Sequence, residues 1–325
     1  MGSSHRRTSV VIALVIALAF VAALAAACSA QATGGAAVTP SASDAQSSSS
    51  PSSGEAATAS AKGAEGDWAR VLKALGFMRA VTPTRPVVVL LGGSAAREST
   101  ISDESWRAQI VDRGGPSTLA WNMGSRNRTL AQNVAIVKSL PRGAHAVVFI
   151  GVNLGAFTST QKTASIKLPS PLPTESPSLE QPHQYSTSTG ILSPTKKKAL
   201  VQAWIADRYP VFKRSFSTSA GVLETLIKTC KARGYKPVLF ELPRDTAIIG
   251  SSLNAPTARF RDRCKRLAST HHIPWVSFVT AARLPNQDFY DLWHLVEPGR
   301  TVWQNLLSAK TAALLKAYGY DGGGS

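Results

Sequence analysis

The sequence predicts a single α/β domain, a parallel five-stranded sheet with helices on both faces. Three observations carry this. Five short, mostly apolar runs, at 87–91, 117–122, 144–150, 236–242 and 273–278, read as strands covered on both faces. Most are separated by stretches whose apolar residues return every three or four positions, the period of an amphipathic helix. Such alternation calls for parallel strands, because each crossover carries the chain back to its starting edge. The third observation is length: the chain has 325 residues, and about 255 remain once its ends are set aside, which suits one domain.

Residues 1–27 have the layout of an export signal, with a basic start at His5, Arg6 and Arg7, an apolar run of 18 residues from Val10 to Ala27, and small residues just before Cys28. Cys28 admits two readings. It is the lipid-bearing first residue of a lipoprotein, although Ala25 stands where such signals usually carry Leu. Otherwise cleavage falls near Ala30, or the apolar run stays as an anchor just long enough to span a bilayer. Residues 28–66 are Ser, Ala, Thr, Gly and Pro with few large apolar side chains, so they are expected to form a disordered tether.

The domain spans 67–320. Trp68, Val71, Leu72 and Leu75 place a helix over 67–78, which Pro83 and Pro86 end. The first strand, 87–91, runs into Gly92-Gly93-Ser94. The second ends in Met123-Gly124, and a helix is expected over 129–140. The third ends in Gly151-Val152-Asn153. Residues 155–195 are rich in Ser, Thr and Pro and lack periodicity, which predicts a long insert or lid. A helix follows over 196–233, broken near Pro210, and further helices over 256–270 and 299–318 flank the fifth strand. The DGGGS tail, 321–325, is expected to be loose.

Charge and cysteine usage narrow the setting. The net charge is +17, and residues 161–233 hold 11 Lys and Arg against 4 Asp and Glu. Either the surface is generically basic, or it attracts anionic cell-wall polymer, lipid headgroups or acidic sugars. No nucleic-acid partner is expected of an exported chain. Besides Cys28 there are Cys230 and Cys264, each on a helix-like stretch beside one strand. Successive crossovers in one direction set such helices side by side, so these two form a disulfide or are two buried free thiols. His145, His183, His271 and His272 are dispersed without metal-ligand spacing, so no metal and no cofactor is expected.

In open α/β sheets ligands sit at the carboxyl ends of the strands. Ser94, Gly124 and Asn153 lie just past the first three, and Asp291-Leu-Trp-His294 lies between the fifth and the last helix. A serine hydroxyl needs a base within hydrogen-bond reach, and the base needs an orienting acid. Asp291 and His294, three apart, can face the same way on one turn. The backbone N–H groups of Ser94 and Gly124 and the side-chain amide of Asn153 can serve as oxyanion donors. Each residue also has an ordinary structural use: Ser94 as a helix cap, Gly124 as a turn, Asn153 as a loop cap, Asp291 as a helix cap, His294 as a core histidine. Arg97, Glu98, Arg126 and Arg128 lie near the proposed site. An arginine there, Arg97 and Arg126 foremost, would hold an anionic substrate group, unless these residues merely pair at the surface, as Arg97 would with Glu98 or Asp103. Trp293 is a substrate wall or a core side chain.

Four blocks, LLGGSAARES, NMGSRN, FIGVNLG and FYDLWHLVEPGR, stand in one order, each past an expected strand. Together they resemble the SGNH (GDSL-like) hydrolase superfamily, whose letters name its Ser, Gly, Asn and His. The resemblance covers 86–316. It implies a flavodoxin-like three-layer sandwich, with Ser94 as nucleophile, Asp291 as orienter, His294 as base, and Gly124 and Asn153 as oxyanion donors. Gly93 and Leu154 stand where the family often has Asp, which marks a divergent branch. With the export signal, this implies an esterase acting on acylated carbohydrate or another small ester of the cell envelope. The alternatives are an acyltransferase using the same triad on a wall polymer, and a non-catalytic binding protein on a decayed fold.

Overall fold

The computed structural model describes residues 53–161, 165–177 and 183–320, with side chains from Gly66 onward. The expectations for the export signal 1–27, for Cys28 and the tether up to 52, and for the tail 321–325 lie outside the described residues.

Five strands, β1 (Val87–Leu91), β2 (Leu119–Asn122), β3 (Ala146–Val152), β4 (Lys236–Glu241) and β5 (Trp275–Ser277), form one sheet in the order β2-β1-β3-β4-β5. Every pairing is parallel. Val89 lies beside Trp121 on one side and Val148 on the other. This is the flavodoxin-like strand order, whose switch point falls between β1 and β3. The chain leaves β1 toward one edge and β3 toward the other, so the loops after these two strands part and leave a crevice.

The continuous apolar character of the strands has a direct cause. Val87, Val89 and Leu91 pack into one buried cluster, and Val88 and Leu90 into another on the opposite face. The first cluster takes side chains from α1 (Ser53–Val81), α4 (Leu130–Ser139), α6 (Tyr209–Ala232), α7 (Thr246–Ile249) and α8 (Asn254–His271). The second takes Trp106 and Ile110 from α3 (Asp103–Asp112), and Trp303 and Leu307 from α9 (Glu297–Ala317). Three layers result, as expected from the sequence.

Four local expectations need correction. Helix α1 starts at Ser53 rather than at 67, so 53–66 of the expected tether is helical. Alanine, frequent there, is the best helix former, and propensity outweighs the lack of apolar periodicity. The helical run does not break near Pro210. α5 (Pro194–Ala203) continues through a π-helical turn, Trp204–Arg208, into α6, whose second residue is the proline; proline cannot donate the bond that a continuous α-helix would need, and the ladder changes to the wider π turn just before it. Helix α3 was not foreseen, because its ten residues bury only Asp103, Trp106 and Ile110. Finally, Cys230 on α6 and Cys264 on α8 are free, buried thiols and not a disulfide. Burial pushes Cys230 up to about 12 and raises Cys264 as well, so both pack as small apolar side chains.

Among the described residues, no helix is long and apolar enough to cross a membrane.

Candidate active site

The switch-point crevice is built from the loops after β1, β2 and β3. After β1 the chain turns at Gly92-Gly93 into α2 (Ser94–Arg97), with Gly93 as the N-cap. Gly92 is required here, since a Cβ would lie 2.6 Å from Ala96 Cβ; at Gly93 it would meet open space. Ser94 is thereby the first residue of a helical turn, and first-turn N–H groups have no intrahelical acceptor.

Asp291 and His294 arrive from the other end of the domain, in the loop before α9. His294 Nε2 lies 2.8 Å from Ser94 Oγ, a pairing of residues 200 apart in sequence. His294 Nδ1 lies 2.7 Å from Asp291 Oδ2. The other carboxylate oxygen, Oδ1, accepts the N–H groups of Trp293 at 2.8 Å and His294 at 3.0 Å. Burial alone would raise Asp291; the neighbouring His294 and these N–H donors outweigh it and hold the carboxyl below its usual range. An ionised Asp291 accepts from Nδ1–H, which leaves Nε2 as the acceptor for the serine proton.

Two further structures hold this loop. Lys197, fully buried on α5, donates to the carbonyls of Asn286 and Phe289 at 2.8 and 2.7 Å, to Asn286 Oδ1 at 2.7 Å and to Asp245 Oδ2 at 3.3 Å. Tyr185, in the insert, stacks on Tyr290 with ring centroids 4.2 Å apart and leans on the His294 ring at 4.7 Å. The sequence predicts an insert or lid at 155–195; among the described residues 183–192 brace the histidine loop, and Gly155, Ala156, Thr158 and Ser159 line the cavity.

That cavity, about 280 Å³, is lined by Ser94, Asn153, Trp293 and His294 together with Asn127, Arg128, Trp204 and Arg208. Asn153 Oδ1 accepts the N–H of Ala156 at 3.3 Å, so its Nδ2 is the end left to donate. Trp293 does both things the sequence left open: it lines the cavity and packs against the core clusters.

Gly124 does not occupy the donor position expected of it. Its N–H is taken by Asn122 Oδ1 at 2.9 Å, and it lies outside the cavity lining. Its glycine character serves packing, since a Cβ would come 2.4 Å from the backbone nitrogen of Arg97. From this loop Asn127 and Arg128 line the cavity instead, with Asn127 held left-handed at φ 54, a conformation asparagine tolerates better than most residues. The Asn-Arg-Thr turn before a helix cap was the available signal.

Arg97 is not a substrate ligand either. It is 1% exposed and clamped by Asp67, at 2.9 and 3.1 Å, and by Glu98. The pairing with Glu98 was foreseen as a surface contact; helix α1, which brings Asp67, buries it. Glu98 also takes Arg300 at 2.7 Å and His183 at 3.2 Å. Burial would raise its carboxyl, but His183, Arg97, the N–H of Gln184 and Arg300 bring it down to about 2. Arg126 likewise lies outside the cavity lining, its backbone N–H on Asp67 Oδ2 at 3.1 Å. Among the described residues no cluster of three His, Cys, Asp or Glu has metal-binding geometry.

Chemically, the arrangement can move a proton from a hydroxyl to an imidazole beside a small crevice that Asn153 also lines.

No protein-family model matches the chain, and no curated protein matches it. Among solved structures, a protein from Streptococcus pneumonia, provisionally described as a platelet activating factor, is similar at 13% identity and a TM-score of 0.46, over 82% of this chain and 99% of that one. A variant of the esterase AlinE4 is similar at 15% identity and a TM-score of 0.36, over 72% and 97%. LAE5, an alpha/beta hydrolase from the metagenome of Lake Arreo in Spain, is similar at 14% identity and a TM-score of 0.34, over 70% and 95%. At such scores none of these likenesses bears on function.

Proposed function

We propose that this chain is an exported serine esterase of the SGNH hydrolase type, tethered by lipid at Cys28, that removes acetyl or other short acyl groups from cell-envelope carbohydrate. The observation that carries the reading is the unbroken relay from Asp291 through His294 to Ser94, with both links at 2.7–2.8 Å. A solvated surface histidine and a capping serine have no reason to meet across 200 residues; a nucleophile and its base do.

In the proposed reaction Ser94 Oγ attacks the ester carbonyl as its proton passes to His294 Nε2. The oxyanion forms against the N–H of Ser94 and the side-chain amide of Asn153. Collapse breaks the carbon–oxygen bond to the alcohol, which leaves with the proton from His294, and the acyl group stays on Ser94. Water, deprotonated by His294, then attacks the acyl-serine, releasing the acid and returning the proton to Oγ. Asp291 stays ionised and keeps the imidazole in one tautomer. Removal of Arg6 and Arg7 with the leader takes the net charge from +17 to +15, which still suits an anionic envelope.

A fluorophosphonate probe is expected to label the wild-type protein and not Ser94→Ala. Nitrophenyl acetate turnover is expected to fall by roughly 10³-fold or more in that variant. Equal labelling or equal turnover in the two proteins defeats the reading. Transfer to a sugar acceptor would appear as acylated saccharide in place of free acid.

A further inference from the structure

The crevice holds a charge that the fold leaves unneutralised. Arg128 is 7% exposed and lines the cavity beside Ser94, Asn153 and His294. Its guanidinium lies 4.5 Å over the Trp68 ring, and its Nε and Nη2 both donate to Ser125 Oγ, at 3.0 and 2.6 Å. Its Nη1 is buried without a hydrogen-bond partner, and Arg128 forms no ion pair among the described residues. Asp67, the acid that acts on it most, is already held by Arg97 and by the N–H of Arg126. Burial pulls Arg128 down to about 9, so the group is still a cation at neutral pH, held at a cost. At the same cavity Arg208, exposed on the π-helical turn, also forms no ion pair among the described residues.

Building on the reading of Ser94 as an acyl-transfer nucleophile, we infer that the crevice is specific for anionic esters: acylated sugars bearing a carboxylate or a phosphate, which Arg128 binds at the wall and Arg208 at the mouth.

A buried charge without a counter-ion is costly, and an arriving anion relieves that cost while forming charge-assisted hydrogen bonds in a poorly solvated site. The planar guanidinium fork fits carboxylate and phosphate alike. Trp204 and Trp293 line the same cavity, and indole faces suit the flat apolar side of a sugar ring with polar groups at its rim. The cavity, about 280 Å³, lies at the small end of ligand sites, which fits one sugar ring rather than a long acyl chain.

The test measures acetate release from acetylated glucose, acetylated glucuronate and acetylated glucose phosphate, with nitrophenyl acetate as a reference. The wild-type protein is expected to favour one or both anionic sugars over the neutral one by roughly 10- to 100-fold in kcat/KM, the range of a charged hydrogen bond. Which anion is preferred tells carboxylate from phosphate. Arg128→Met is expected to abolish the preference, and Arg208→Ala, an exposed change that spares the fold, to reduce it by roughly two- to fivefold. Equal turnover of the three sugars, or an unchanged preference in both variants, overturns the inference while Ser94-dependent turnover of nitrophenyl acetate leaves the nucleophile assignment standing. If no Ser94-dependent turnover exists, that assignment fails, and titration of the Ser94→Ala protein with glucuronate and glucose phosphate judges the anion site alone. Binding that Arg128→Met removes upholds the site; absence of binding overturns it.

Discussion

Arg97 and Arg128 are both buried within a few residues of the crevice, yet their surroundings are opposite. Arg97 sits among Asp67, Glu98 and Gln184, and Glu98 in turn gathers Arg300 and His183. Every charge there has a counter-charge, and no group is left to bind anything. Arg128 has a hydroxyl, an aromatic face and one vacant N–H group. The lesson is that proximity to a nucleophile does not make an arginine a substrate ligand. What decides is whether the fold has already spent its donors. Arg97 staples helix α1 and the insert to the turn that carries Ser94, whereas Arg128 has no carboxylate partner among the described residues.

The contrast can be broken in three ways. The largest effect is expected from Glu98→Ala. It strands Arg97 and Arg300 without their shared carboxylate, and loss of one partner from a buried ion cluster costs about 3–5 kcal/mol. Urea unfolding reads this directly, and an unchanged midpoint would mean that the cluster is not the staple described.

A smaller effect comes from pH. The carboxyl of Glu98 is lowered from its usual 4.5 to about 2 in the folded protein. Its contribution is therefore complete above about 4.5 and is lost as pH falls toward 2, because the unfolded chain takes up the proton first. The wild-type protein is expected to lose about 3 kcal/mol more over this window than Glu98→Gln does. Parallel pH–stability curves for the two would contradict the assignment.

The smallest effect is expected from Arg128→Met. Loss of the stacking on Trp68 destabilises, while removal of an unneutralised charge relieves the fold, so stability should change by about 1 kcal/mol or less. Thermal unfolding with no added anion checks this. A loss as large as that of Glu98→Ala would make Arg128 a second structural staple. With added glucuronate or glucose phosphate, the wild-type midpoint should rise and that of Arg128→Met should not.

The fold was largely legible. Strand β1 was placed to the residue, and the others shifted by one or two positions at one or both ends, because an apolar run marks a buried strand wherever its neighbours pair. The Ala-rich start of α1 was hidden by its composition, which reads as tether and helix alike. Helix α3 was hidden because its buried Asp103 faces Arg70 and the N–H of Asn122 rather than an apolar core. The free state of Cys230 and Cys264 was likewise open, since side-by-side helices bring thiols near without giving them bond geometry.

The site divides along the same line. The residue types, their order and their position past strand ends were written in the sequence, because chemistry restricts which side chains can serve as nucleophile, base and orienter. Which groups stay free was not. Asn122 takes the N–H of Gly124, Asp67 and Glu98 take Arg97, and Asn127 and Arg128 are left facing the crevice. Those outcomes depend on which donor and acceptor are brought within hydrogen-bond distance by packing, sometimes across 30 residues and sometimes across 200. Only the assembled three-layer structure, in which burial forces each polar group to find a partner or go without, could decide them.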